Sequence, residues 1–225
     1  MTLGDAWERH ANEWIVWART ESHDGFRDGT WPALRALLGP PGELVVEIGC
    51  GEGRVGRALL ALGHTVVGVE QSATLARAAR DARPPLGVVR GDASRLPVAD
   101  DIAGTVVACM SLHDVDDLHA TITEAARVLR NGGRLCIAMV HPFASAQDGG
   151  MRTHTPVISE PYLSERRYVD RAARDGLEMT FVSMHRPLGT YLSACFDAGF
   201  VLSALSEFGN KPIPWLLTAR FEKVT

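Results

Sequence analysis

Glu47, Gly49, Gly51 and Gly53, in the stretch VEIGCGEGR, place a carboxylate two residues ahead of three alternating glycines. Glycines at that spacing after an apolar run let the backbone turn sharply and approach a ligand closely. Two registers overlap here. From Gly51 the letters G-E-G-R-V-G match the G-x-G-x-x-G pattern that sets a pyrophosphate on a helix N-terminus. From Gly49 the loop begins directly behind Glu47, whose carboxylate repels a pyrophosphate and attracts a cation such as an amino acid's ammonium. Glu70 closes the next apolar run, HTVVGVE, where an acid can accept hydrogen bonds from ribose hydroxyls. It indicates a nucleoside ligand in either register.

The elements that must position these residues read as alternating strands and helices. ELVVEI is a strand, followed by the glycine loop and a helix over Arg54–Leu62. HTVVGVE is the next strand, and Ser72 is a fitting N-cap for a helix through Ala82. LGVVR and AGTVVACM continue the strands, a helix spans Asp116–Arg130 until NGG stops it, and RLCIAMV follows. Near-continuous apolar strands alternating with helices indicate a parallel sheet covered on both faces.

Outside this core the pattern changes. Residues 5–19 form a helix with Trp7, Ala11, Trp14, Ile15 and Ala18 on one face, and Pro32–Leu38 is a short second helix. Residues 141–186 are rich in Pro, Gly, His and charge, with strand-like pieces at Glu165–Arg171 and Leu177–His185. A helix over Pro187–Ala198 precedes GFVLSALSEF and PWLLTARFEK, which pair as antiparallel neighbours. The expected organisation is therefore one domain over 1–225. It comprises an N-terminal helical lid (1–42), a ligand-binding core (43–140), a substrate-side insertion (141–186) and a closing helix with strand pair (187–225).

Composition narrows the partners. The 225 residues carry a net charge of −4, which offers no basic field for a nucleic-acid backbone. The four cysteines are scattered, without a C-x-x-C pair or metal-ligand spacing, and suit a reducing cytoplasm. The polar N-terminus lacks signal-peptide character, and no apolar run approaches the ~18 residues of a membrane span. The expectation is a cytoplasmic protein, monomer or homodimer, without nucleic-acid or membrane partners.

Five blocks in order, VEIGCGEGR, VVGVEQS, GDASRLP, ACMSLHDVDD and EAARVLRNGGRL, resemble the class I S-adenosylmethionine (SAM)-dependent methyltransferases. The likeness is greatest to the ubiquinone/menaquinone-type and small-molecule branch. It implies a Rossmann-like seven-stranded α/β sheet of order 3-2-1-4-5-7-6, strand 7 antiparallel, with helices on both faces. It also implies SAM as cofactor and S-adenosylhomocysteine as product. By that resemblance Glu47, Gly49, Cys50, Gly51 and Gly53 surround the methionine moiety, and Glu70 and Gln71 meet the ribose. Asp92 and Ala93 meet the adenine, and Met110 and Ser111 flank the sulfonium. RNGG stands where the family usually has Pro-Gly-Gly. A short-chain reductase would need Tyr-x-x-x-Lys, and neither Tyr162, Tyr168 nor Tyr191 has a lysine at that spacing.

Methyl transfer is an in-line displacement that chiefly needs alignment and exclusion of water, with a base only where the acceptor loses a proton. His113 and His141, each directly after a strand, are the candidate catalytic residues. Trp14, Trp17, His185 and Tyr191 are candidate substrate contacts. Trp7 and Trp14 serve equally well to pack their helix on the core. Asp114, Asp116 and Asp117 cluster in one turn, where Asp114 or Asp116 capping a helix is a simpler reading than a metal site, and no metal is expected. The implied reaction is methylation of a small molecule, at oxygen by preference. The alternatives are a non-catalytic SAM or S-adenosylhomocysteine binder, which would lack an acceptor cavity, and a protein-modifying methyltransferase, which would show an open groove.

Overall fold

The computed structural model describes residues 1–20, 23, 25–148, 156–209 and 212–224; residues 149–155 of the expected insertion lie outside the described residues. Helix α1 (Leu3–Arg19) starts two residues before the predicted Asp5 because Thr2 and Asp5 form a reciprocal capping box. A π-helical turn, Phe26–Thr30, leads into α2 (Trp31–Arg35). The alternating core follows as β1 (Leu44–Ile48), α3 (Arg54–Ala61), β2 (Thr65–Glu70), α4 (Ala73–Asp81), β3 (Gly87–Arg90), β4 (Ala103–Cys109), α5 (Leu118–Val128) and β5 (Leu129–Val140). Then come α6 (Pro142–Ser145), the strands β6 (Arg166–Arg174) and β7 (Leu177–His185), α7 (Leu188–Asp197), β8 (Phe200–Phe208) and β9 (Leu216–Lys223).

Seven strands form one sheet in the order β3-β2-β1-β4-β5-β9-β8. The first five are mutually parallel, and β9 runs antiparallel to both β5 and β8. Counted along the sheet's own strands, this is the implied order with an antiparallel seventh strand. Side chains alternate between two cores. Val46, Ile48, Val106, Ala108, Leu135 and Ile137 pack under α5 and α7, whereas Val45, Val107, Cys136 and Ala138 pack under α2 and α3. Burial on both faces is why these strands read as continuous apolar runs.

Helix α5 is shorter than predicted. Its N-cap is Asp117, whose carboxylate accepts from the Ala120 N–H at 2.9 Å, in place of Asp114 or Asp116. At its other end Leu129 pairs with Ala103, so the chain enters β5 at once and NGG falls within an irregular opening of the strand.

Strands β6 and β7 form a separate two-stranded hairpin joined by Asp175 and Gly176, both at positive φ (51° and 78°), as a primed turn requires. Helix α1 packs along β7 through Leu3 and Ala6 with Val182, and through Trp17 with Met179 and Ala172. It is also tied to α4, because Glu8 accepts from the Ser72 hydroxyl and from Thr74 Oγ1 at 2.7 Å. Hairpin and helix together form a roof over the carboxyl edge of β1, β2 and β4. No helix among the described residues is long and apolar enough to cross a membrane.

Candidate functional site

The strand order reverses between β1 and β4, and ligands in open α/β sheets bind at that switch point. A cavity of about 880 Å³ opens there, at the upper end of the ~300–1,000 Å³ range of ligand pockets. Its floor is the glycine loop after β1, the ends of β2 and β3, and the 110–117 turn after β4.

The glycine loop is set by left-handed residues: φ is +67° at Gly49, +56° at Gly51 and +88° at Gly53. At Gly49 a Cβ would also lie 2.6 Å from Ser111 Cβ, so only glycine lets the two loops meet. Gly53 lies behind the loop, capping α3 and packed on Ala79. Gly49 and Cys50 N–H groups donate to the Val69 carbonyl, Gly53 N–H to the Cys50 carbonyl, and Gly51 N–H to Glu70 Oε2 at 2.8 Å. These N–H groups are occupied within the protein, unlike a loop that cradles a pyrophosphate.

Glu70 also accepts from Ser72 N–H at 2.8 Å, so the expected ribose acid doubles as the clasp between the loop and α4. Burial, above all, raises its pKa, opposed by these hydrogen bonds. Glu47 is 1% exposed, and its Oε2 has no hydrogen-bond partner among the described residues. Burial and the neighbouring Glu70 and Glu52 charges push it up to about 8. The Gly56 N–H and the Arg57 charge only partly offset that rise, and a buried carboxylate on a cavity wall with one unpartnered oxygen fits a ligand ammonium, which would both pair with it and restore its charge. Arg54, stacked on Trp14 (5.0 Å) and Phe26 (4.3 Å), lines the same cavity and offers a cation for a carboxylate.

Asp92 Oδ1 accepts from the Ser94 N–H and hydroxyl, both at 2.8 Å, fixing a 3₁₀ turn that presents Asp92 and Ala93 to the cavity beyond β3. Gln71 lines the wall between. Met110 adopts φ +53°, a strained conformation for a side-chain-bearing residue, located at the cavity floor. Ser111 anchors this turn by donating to the Ile48 carbonyl at 2.7 Å. The donor set, the glycine cradle and the unsatisfied Glu47 all fit SAM.

The expected catalytic and substrate residues divide. His113 lines the cavity and is 6% exposed, with Nδ1 unpartnered among the described residues. Burial and the Arg186 charge push its pKa down to about 4, making it a neutral wall and a weak base near pH 7. His141 lies outside the cavity lining, a correction to its expected place. Its Nδ1 accepts from Phe143 N–H at 3.0 Å as the N-cap of α6, and its Nε2 meets Glu207 at 2.7 Å, leaving no lone pair for catalysis. His185 is likewise committed to Ser145 Oγ and the Tyr162 carbonyl, both at 2.8 Å. Tyr191, on α7, points into the core. Neither lines the cavity. Trp14 and Trp17 do, together with Trp7.

Tyr168, Asp170, Phe181 and Ser183, like Arg54, are among the cavity residues that sequence reasoning missed. These four share one hairpin face, because Tyr168 pairs with Ser183 and Asp170 with Phe181. The period-two spacing of Tyr168, Asp170 and Ala172 carried that signal, but it gained meaning only with the hairpin register. The three clustered aspartates diverge. Asp114 turns into the cavity to accept from Ser183 Oγ at 2.6 Å, Asp116 accepts from Leu3 N–H at 3.0 Å, and Asp117 caps α5.

Arg186, 3% exposed, holds the turn that carries His113 and Asp114 by donating to the carbonyls of Leu112 (3.4 Å), Val115 (2.8 Å) and Asp116 (3.2 Å). Lysine lacks the planar fork that reaches these oxygens. Arg186→Lys is expected to cost about 2 kcal/mol and lower the melting temperature by roughly 4–8 °C, read by calorimetry. An unchanged melt would show that the turn holds itself.

A seven-stranded sheet of this order, with a glycine turn and acids at its switch point, is the arrangement of the class I SAM-dependent methyltransferases, and the core of the chain matches that class. Residues 46–137 match the family described as Methyltransferase domain. The chain is 37% identical over 105 residues to the demethylmenaquinone methyltransferase of Beutenbergia cavernae, covering 47% of this chain and 44% of that protein. It is 33% identical over 183 residues to the methyltransferase GfsG of Streptomyces halstedii, covering 75% and 65%. The chain thus spans between 44% and 65% of the length of these two curated relatives. A SAM-dependent methyltransferase from Mesorhizobium loti superposes with a TM-score of 0.71 at 24% identity, covering 88% of this chain and all of that one, and shares the fold.

Proposed function

We propose that this protein transfers the methyl group of SAM to a small-molecule acceptor, with oxygen as the receiving atom. One observation carries the reading: a single cavity of about 880 Å³ is lined both by the Glu47–Glu70–Asp92 edge and by His113, Asp114, Tyr168 and Ser183. A binder without turnover has no need of the polar groups beyond the cofactor edge, and the roof of α1 and hairpin favours a small acceptor over a protein chain. In this reading residues 1–42 act as a lid, 141–186 as the substrate-side insertion and 187–225 as the closing element. SAM, when bound, supplies an electrophilic methyl. Glu47 and Arg54 hold its amino-acid end, Glu70 and Asp92 its nucleoside, and Trp7, Trp14 and Phe181 exclude water from the acceptor.

Labelled SAM incubated with a panel of phenols, catechols, carboxylic acids and amines tests the proposal. Label transfer to a hydroxylated member supports it. SAM binding without transfer to any member would favour the non-catalytic reading, and transfer to amines alone would move the acceptor atom to nitrogen.

A further inference from the structure

We propose that Asp114 is the catalytic base of this site, taking the proton of a phenolic or enolic hydroxyl that Ser183 and Tyr168 help to orient. The inference rests on the methyl-transfer reading above and names its acceptor class. Asp114 lies on the turn after β4, its side chain 11% exposed and on the cavity wall. One oxygen is fixed by Ser183 Oγ at 2.6 Å, the other is 3.8 Å from His113 Nε2, beyond hydrogen-bond reach, and the nearby Trp7 indole N–H favours the ionised carboxylate. Tyr168, paired across the hairpin with Ser183, brings a second hydroxyl to the same corner.

The surrounding charges select the acceptor. Arg186 lies behind the turn, and its charge favours ionised Asp114. His113 beside it is neutral, Tyr168, Tyr191 and Glu70 sense the Asp114 charge, and Asp170 and Arg174 line the same cavity. Arg186 is shared with Glu165 at 3.5 Å, and burial holds Asp114 toward its neutral form, so a cationic amine would find little net attraction, whereas a neutral hydroxyl needs only a proton acceptor. Trp7, Trp14 and Phe181, packed edge to face with centroids 5.9 to 6.3 Å apart, form an apolar aromatic cluster on the acceptor side of the cavity. Burial pushes Asp114 up to about 8, which matches its basicity to such hydroxyls far better than that of an ordinary carboxylate.

The step balances. The hydroxyl oxygen forms a bond to the methyl carbon, the carbon–sulfur bond breaks with its electron pair on sulfur, and the hydroxyl proton passes to the Asp114 carboxylate. A methyl ether, S-adenosylhomocysteine and a protonated Asp114 result. The proton leaves to solvent as the site reopens.

4-Nitrophenol binding to the full chain saturated with S-adenosylhomocysteine tests this without turnover. At pH 9 both acids are largely ionised when free, and two anions in contact must retain a shared proton. Calorimetry in buffers of differing ionisation heat should record uptake of about one proton by the wild type and none by Asp114→Asn. SAM affinity should stay within about twofold in both. Ser183→Ala should weaken nitrophenol binding about tenfold and carries the test should Asp114→Asn fail to fold. Proton uptake persisting in Asp114→Asn, unchanged nitrophenol affinity in Ser183→Ala, or no nitrophenol binding by a wild type that binds SAM would each overturn the proposal. So would Asp114-dependent binding of benzylamine tighter than that of nitrophenol. A wild type that binds no SAM would instead refute the methyl-transfer reading itself.

Discussion

Gly51→Val is expected to leave a folded protein whose SAM binding falls below detection by calorimetry. Gly51 adopts φ +56°, where an L side chain costs roughly 1–2 kcal/mol and a β-branched one more. Its N–H is also the donor that ties the loop to Glu70. An added Cβ would reach 3.4 Å from Trp14 Nε1, and the two valine methyls beyond it would enter the cavity. Strain, a disturbed Glu70 clasp and lost volume therefore act on the same few atoms. Gly42→Ala is the control: Gly42 has φ +91°, nothing lies within 4 Å of an added Cβ, and it is outside the cavity. That variant should lose stability from strain yet keep SAM affinity within about twofold. Near-normal SAM binding by Gly51→Val would overturn the placement of the cofactor.

Glu47→Gln should weaken SAM binding by roughly ten- to a hundredfold, because an amide cannot pair as an anion with a buried ammonium. The same variant should stabilise the free protein at alkaline pH. The folded-state pKa of Glu47, about 8, exceeds its ordinary value near 4.5, so the folded protein binds the extra proton between those values. Its contribution to stability is complete below about 4.5 and is lost as pH rises through about 8. Wild-type melting temperature should fall over that window more than that of Glu47→Gln. SAM binding requires the ionised carboxylate, so near pH 7 binding should release a proton and affinity should rise toward pH 8. Above that, the free α-amino group of SAM itself deprotonates, near ~8, and affinity should decline. A flat affinity profile between pH 6 and 8, with no proton release, would show that Glu47 does not meet the ammonium.

Much of this was legible in the one-dimensional pattern. β1, β2, β4 and β5 announce themselves because they are buried on both faces, and a run such as LVVEI has few other uses. The glycines of the loop are legible because left-handed backbone leaves few alternatives to glycine. Glu47 and Glu70 stood out as acids ending apolar strands, and both line the cavity. The acceptor side resisted. His141, His185 and Tyr191 have the right chemistry and flank the right elements, but nearby partners claim the two histidines and the core claims the tyrosine. Tyr168, Asp170, Phe181 and Ser183 sit in an irregular segment whose meaning depends on hairpin register.

What the amino-acid order determined by itself is the local part: strand and helix periodicity, the left-handed glycine turn and the acids directly attached to it, all governed by residues within a few positions of one another. Which titratable groups face the cavity was left to the tertiary structure. Of Asp114, Asp116 and Asp117, adjacent in one turn, a hairpin serine about seventy residues away turns the first inward, the N-terminal helix takes the second, and the third caps α5. A side chain's direction and ionisation depend on burial and on partners brought together by long-range packing, and neither is written in its neighbours in the chain.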